Sequence, residues 1–190
     1  MKFDVILAGV GGQGVLSVSA IIASSAMEEG LQVKQSEVHG MSQRGGAVYT
    51  NLRISDKTIY SDLIPAGAAS LILSMEPLES LRYLHYLNPK GYLITSADPE
   101  LNIDDYPVLN GLHQQINELP HSKIIEARKL ALQAGSGRAT NMVLAGAASH
   151  HLPLKIETME NYIRKIFQRK GDKVVEINLK AFDLGRQSTA

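Results

Sequence analysis

Two stretches of this chain hold residue types whose spacing could do chemistry. The first is Gly9-Val10-Gly11-Gly12-Gln13-Gly14. Gly9, Gly11 and Gly14 keep a G-x-G-x-x-G spacing, which turns a strand sharply into a helix and brings bare backbone N–H groups against a ligand. A helix N-terminus carries partial positive charge, so the expected guest is a phosphate or a carboxylate. Gly9, Gly11, Gly12, Gln13 and Gly14 are the candidate cofactor-binding residues. The plainer role for the same glycines is close packing of helix on sheet. The second stretch runs from Glu37 to Gly46 and packs three ionisable side chains and three glycines into ten residues. Glu37, His39, Ser42, Gln43 and Arg44 are the candidate active-site or interface residues. If Glu37 to His39 is extended, those two side chains share a side. Glu37 also stands roughly twenty residues past Gly14, where a nicotinamide enzyme places the acid that grips a ribose. A solvated loop with Glu37 and Arg44 paired is the bland alternative.

The rest of the sequence supplies no self-contained catalyst. It has no G-x-S-x-G elbow, no H-E-x-x-H and no G-x-x-x-x-G-K-[ST]. His85, His113 and His121 stand apart, and adjacent His150 and His151 lack the spacing for ligation from one helix face. No metal site is expected. With no cysteine, the chain has no thiolate nucleophile and cannot hold an iron–sulfur cluster through sulfur ligands.

Both stretches need elements to position them. Val5 to Ala8 is an apolar run bounded by glycine, which predicts a strand covered on both faces. Gly12 to Glu29 follows as a helix, with Leu16, Ala20, Ala23 and Met27 on one stripe and Val15, Val18 and Ile22 on another. Gly30 suits its C-terminus. Gln32 to Ser36 then completes a Rossmann-like β-α-β unit, so the charged stretch falls at the carboxyl edge of the sheet, where open α/β folds keep their ligand crevice. Ala47 to Ile54 alternates apolar with polar residues. A turn at Asp56-Lys57 and a return strand over Thr58 to Ser61 predict a hairpin, and hence a mixed sheet.

Ser70 to Ser74 reads as a further buried strand. Glu76-Pro77 opens a helix that carries Leu78, Leu81, Leu84 and Leu87, and Gly91 to Thr95 is the next strand. Ser96 to Leu119 reads as a long excursion with little regular structure. A last strand over Lys123 to Glu126 and helices over Ala127–Ala134, Arg138–His151, Ile156–Lys170 and Asp172–Gly185 complete the pattern. The expected fold class is α/β: a three-layer α/β/α domain spanning 1–190, with a mixed sheet.

Composition narrows the partners. Nineteen basic residues balance nineteen acidic ones, which implies no basic face for nucleic acid. Glycine and serine interrupt the longest uncharged stretch, so no membrane span is expected. Met1-Lys2 runs straight into the first strand, so no signal peptide is expected and a cytoplasmic location is.

The Gly9–Val15 loop, Ser36-Glu-Val-His-Gly-Met-Ser-Gln-Arg-Gly-Gly46, Tyr60-Ser-Asp-Leu-Ile-Pro65, Glu76-Pro-Leu-Glu79, Arg138-Ala-Thr-Asn141 and Asn178-Leu-Lys-Ala-Phe-Asp-Leu-Gly185 together carry a family resemblance. The chain resembles the indolepyruvate:ferredoxin oxidoreductase beta subunits, akin to the gamma subunits or domains of 2-oxoacid:ferredoxin oxidoreductases. The resemblance covers nearly the whole chain, although Ser42 stands where alanine is as readily expected and Ser96 to Ser122 matches no motif. It implies an obligate large subunit that binds thiamine diphosphate with magnesium and carries the iron–sulfur clusters. It further implies oxidative decarboxylation of a 2-oxoacid to acyl-CoA and carbon dioxide, with coenzyme A as co-substrate and electrons passed to ferredoxin. In that setting Arg44 would attract the substrate carboxylate or a coenzyme A phosphate, Glu37 and His39 would orient it or shape the interface, and the glycine loop would take a phosphate. The competing expectations are a nicotinamide- or flavin-binding oxidoreductase and a non-catalytic scaffold subunit.

Overall fold

The computed structural model describes residues 1–39 and 45–189. Six strands form one sheet: β1 (Lys2–Val10), β2 (Gln32–His39), β3 (Ala47–Ser55), β4 (Ala69–Ser74), β5 (Leu87–Ser96) and β6 (Ser122–Ile125), in the spatial order β2-β3-β1-β4-β5-β6. β4, β5 and β6 run parallel to β1, while β3 lies antiparallel to both β1 and β2. Helices α1 (Val15–Glu28), α4 (Ala127–Ala134), α5 (Thr140–Ala148), α6 (Ile156–Phe167) and α7 (Asp172–Gln187) cover one face. Helices α2 (Pro77–Arg82) and α3 (Leu109–Asn117) cover the other.

The pleat explains why β1 is apolar throughout. Val5 and Leu7 enter the core under α1 and α5, whereas Ile6 and Ala8 enter the core under α2 and α3, and all four are fully buried. The three-layer fold and the mixed sheet are as the sequence predicts.

The hairpin is placed differently. It joins β2 to β3 across the charged stretch, from His39 paired with Val48 to Gln32 paired with Ser55. Thr58 to Ser61 forms no strand. The polar face of β3 explains this. Arg53 is buried and donates through Nε and Nη2 to both oxygens of buried Asp4 at 2.9 and 3.2 Å. Its Nη1 donates to the carbonyls of Ser61 and Leu63, and Asn51 Oδ1 accepts the Ile64 N–H. The segment after β3 is thus a strap bound crosswise over β3, its backbone groups satisfied by buried side chains instead of a strand ladder. β3 also separates β1 from β2, so the first β-α-β unit spans a gap of one strand.

Other boundaries shift for local reasons. α2 ends at Arg82; Leu84 lies in a 3-10 turn and Leu87 already opens β5. The excursion after β5 contains α3, and α5 stops at Ala148. On α1 the buried stripe is Val15, Val18, Ile22 and Ala26. Leu16 and Met27 are 47% and 57% exposed, leaving an apolar edge of the helix facing outward. No described helix is long and apolar enough to cross a membrane.

α5 and α7 meet at backbone distance. A Cβ on Gly146 would lie 1.9 Å from the Phe182 carbonyl oxygen, and one on Gly185 would lie 1.9 Å from that of Val143. The small residues that the sequence shows in α5 are what permits this crossing.

Candidate functional site

β1 leads through α1 to one side of the sheet, and β4 leads through α2 to the other. The strand order therefore reverses between β1 and β4, which is where α/β sheets open a crevice at their carboxyl ends. A cleft of about 550 Å³ opens at this edge, within the size range of small-molecule sites. Gly12 and Gln13 line it from the turn after β1, and Met75 from the end of β4. Ser96, Asp98 and Glu100 line it from the end of β5 and beyond, Arg128 from α4, Arg138 from the 3-10 turn before α5 and Asn141 from the start of α5.

The glycine turn is built by its own side chain and by a distant motif. Gln13 Oε1 accepts the Val10 N–H at 2.8 Å, while the Gln13 N–H donates to the Val10 carbonyl at 3.1 Å. Gly14 is left-handed, with φ 84° and ψ 25°, and its carbonyl accepts from Asn141 Nδ2 at 3.3 Å. A Cβ there would stand 2.4 Å from that nitrogen. The Arg138–Asn141 motif and the first glycines, far apart in sequence, thus form one wall. The helix proper begins at Val15, later than its predicted start, because Gly12 to Gly14 are spent on this turn.

Of the five glycine-loop candidates, Gly12 and Gln13 face the cleft, while Gly9, Gly11 and Gly14 shape the turn behind it. Gly11 binds the second motif: its N–H donates to the Gly46 carbonyl at 2.8 Å. Glu37 lies exposed on the edge strand β2 and accepts from Gln35 Nε2 at 2.6 Å. With β3 intervening, Glu37 sits two strand spacings, roughly 10 Å, from β1. That offset removes it from the ribose position that a nicotinamide site needs. His39 closes β2, and its side chain lies outside the described residues, as do Ser42, Gln43 and Arg44.

The sequence gives no role in the site to several groups that the fold brings to it. Asp98 Oδ2 accepts the Arg128 N–H at 3.1 Å and so caps the start of α4. The exposed guanidinium groups of Arg128 and Arg138 line the cleft, and among the described residues neither is in an ion pair. Glu76 is buried and caps α2, its Oε2 accepting the Glu79 N–H at 2.8 Å. Its Oε1 accepts the Tyr106 hydroxyl, and the Glu100 N–H at 3.5 Å. Burial and the adjacent Glu76 carboxylate push the Tyr106 phenol well above its ordinary pKa, so it stays a neutral donor. Glu76 and Arg138 stand in motifs that carry the family resemblance, and the strand before Glu76 places it on the edge of the glycine loop; Asp98 and Arg128 are single charged residues at element ends, with no spacing pattern. Among the described residues no cluster of three or more histidine, aspartate or glutamate side chains could hold a metal ion.

The model of the family described as pyruvate ferredoxin/flavodoxin oxidoreductase matches residues 4–188. The chain belongs to that family. It is 37% identical to the indolepyruvate oxidoreductase subunit IorB of Pyrococcus horikoshii over 97% of this chain and 94% of that protein. It is 26% identical to the 2-oxoglutarate synthase subunit KorC of Methanothermobacter marburgensis over 98% of this chain and 96% of the relative. Among solved structures, the gamma subunit of a keto/oxoacid ferredoxin oxidoreductase from Geobacter sulfurreducens superposes with a TM-score of 0.72 at 23% identity, covering 98% of each chain. The 2-oxoglutarate:ferredoxin oxidoreductase of Magnetococcus marinus, with 2-oxoglutarate, coenzyme A and succinyl-CoA bound, gives 0.78 at 23% identity; the likeness spans 99% of this chain but 31% of that one. These two structures share this fold. As a member of this family the chain is an oxidoreductase component, at odds with the nicotinamide alternative.

Proposed function

We propose that this chain is the small subunit of an indolepyruvate- or arylpyruvate-oxidising 2-oxoacid:ferredoxin oxidoreductase, inactive alone and assembled with a large subunit. The observation that carries the aromatic substrate is the near full-length similarity to IorB. The absence of cysteine agrees with this division of labour, since clusters ligated by cysteine must reside on a partner. Thiamine diphosphate with magnesium on that partner supplies the decarboxylation chemistry, and its clusters carry electrons to ferredoxin.

This chain's own residues bind and orient. Gly12 offers its backbone N–H at the mouth of α1, beside the Gln13 side chain. Arg128 and Arg138 add two cations across the same cleft, a donor set suited to the phosphates of coenzyme A. The charged stretch, with Glu37, His39, Ser42, Gln43 and Arg44, faces the partner's reaction centre, where Arg44 draws in the 2-oxoacid carboxylate. The chain thereby supplies binding and exclusion of water, and the partner's cofactor supplies the chemistry.

Purification of the chain from its native source tests this reading. A brown, cluster-bearing large subunit should accompany it, and the complex should reduce ferredoxin with an arylpyruvate and coenzyme A. An isolated chain that binds NAD(P) saturably and oxidises a substrate unaided would overturn the proposal.

A further inference from the structure

Beside the strap, at the amino end of β1, a second pocket of about 270 Å³ is lined by Lys2, Asp4, Arg53, Thr58, Tyr60 and Ser61. It lies roughly 25 Å along β1 from the cleft at the other end of that strand. Buried Asp4 stands between two cations: the Arg53 guanidinium binds both its oxygens, and the Lys2 ammonium is 3.1 Å from Oδ2. One positive charge is left over. The donors are not exhausted either. Among the described residues Arg53 donates through four of its five N–H groups, and the Lys2 ammonium, with three, meets only Asp4. The pocket therefore has both the charge and the donors for one further carboxylate. At about 270 Å³ it falls below the range of cofactor and small-molecule sites, and suits a single acidic side chain.

The strap is held by its backbone. Lys34 Nζ donates to the Tyr60 carbonyl at 3.3 Å, and Arg53 Nη1 donates to those of Ser61 and Leu63. The side chains of Tyr60 and Leu63 are left 90% and 55% exposed. A buried arginine–aspartate pair is an expensive way to hold a loop. Here it fixes in advance an aromatic and an aliphatic side chain beside a pocket with unspent donors, the arrangement of an interface anchor that loses little freedom on binding. We propose that the pocket and strap dock the large subunit. An aspartate or glutamate side chain of that subunit enters the pocket onto Lys2 and Arg53, and an apolar surface next to it covers Tyr60 and Leu63. The Tyr60–Pro65 motif, which takes no part in the cleft, has its role here. The inference rests on the functional reading above only for the existence of a large subunit.

The test reconstitutes the complex from the purified large subunit and wild-type, Lys2→Gln, Lys2→Arg or Tyr60→Ala chains, and measures the dissociation constant against ionic strength. Tyr60→Ala should raise that constant about tenfold or more. Lys2→Gln should raise it about fivefold and flatten its salt dependence, and Lys2→Arg should restore most of the loss. Both side chains are exposed and distant from the cleft, so the melting temperature of the free chain and the kcat of the saturated complex should hold. Constants within about twofold of wild type for Tyr60→Ala and Lys2→Gln, or a salt dependence that Lys2→Gln leaves unchanged, overturn the docking site; arylpyruvate turnover by the same complexes then leaves the functional reading standing. A wild-type complex that forms but oxidises no 2-oxoacid removes the functional reading alone, and the dissociation constants still decide the site. A wild-type chain that binds no large subunit overturns both, and one that pairs with a second copy through Tyr60 overturns the choice of occupant.

Discussion

The Gly11 N–H donates to the Gly46 carbonyl at 2.8 Å, and this bond makes the glycine turn and the charged stretch one structure. A longer bond returns from Gly45 N–H to the Gly11 carbonyl at 3.4 Å. The first strand thus delivers its anion-friendly turn and, through β3, the exit of the charged stretch to the same edge. A ligand seated on Gly12 and Gln13 would lie beside Gly46, where the charged stretch ends.

The glycine turn should discriminate between its own positions. Gly12 has φ 106° with open space around it, so Gly12→Ala adds only backbone strain, about 1–2 kcal/mol. Gly14→Ala adds the same strain plus a Cβ 2.4 Å from Asn141 Nδ2. Denaturant titration should show Gly14→Ala as the costlier change, and Asn141→Gly in the same chain should restore part of the difference.

At the α5–α7 crossing the colliding atoms are backbone carbonyls, which cannot rotate away. Gly146→Ala and Gly185→Ala should each cost at least about 2 kcal/mol, with the helices forced apart. Thermal melting checks this; a variant within a degree of wild type would mean the crossing is looser than its geometry implies.

Arg53 has no substitute for its four donated bonds. Arg53→Met would leave buried Asp4 with only the exposed Lys2 ammonium, 3.1 Å from its Oδ2, a loss of about 3 kcal/mol, and would free the strap at Ser61 and Leu63. Proteolysis after Lys57 should accelerate in parallel with the fall in stability.

In the assembled complex, Arg138→Ala and Arg128→Ala should each raise the KM for coenzyme A about tenfold, the loss of one charge-assisted contact. The KM for the 2-oxoacid should hold. Arg44→Ala should do the reverse. Equal effects of all three on both substrates would remove the separate roles given to the cleft and the charged stretch.

Alkaline pH should destabilise the fold through its buried phenols. Burial, and then the Glu79 carboxylate, pushes Tyr83 up to about 12 from the ordinary 10.0. A raised folded-state pKa means that the stabilisation is complete below pH 10 and is lost as pH climbs toward 12. Tyr83→Phe should therefore lose less stability than wild type between pH 9 and 11. Parallel melting curves for the two proteins would contradict this.

Local pattern along the chain carries part of this architecture. Apolar continuity placed β1, β4 and β5, glycine spacing announced the turn before α1, and the amphipathic repeat marked α6 and α7. The missing cysteines already excluded cysteine-ligated clusters from this chain. Tertiary structure decided what depends on pairing between distant residues. The alternation in Ala47 to Ile54 shows a strand with one polar face, but not that Arg53 and Asn51 on that face bind the strap at 61–64. Nothing local says that β3 inserts between β1 and β2, and that insertion is what moves Glu37 out of a ribose site. Arg128, Arg138, Asp98 and Glu76 meet at one sheet edge only because the strand order reverses between β1 and β4. Asp98 and Arg128 are lone charged residues in sequence, and even the motifs that hold Glu76 and Arg138 say nothing of their meeting until the chain has folded them together.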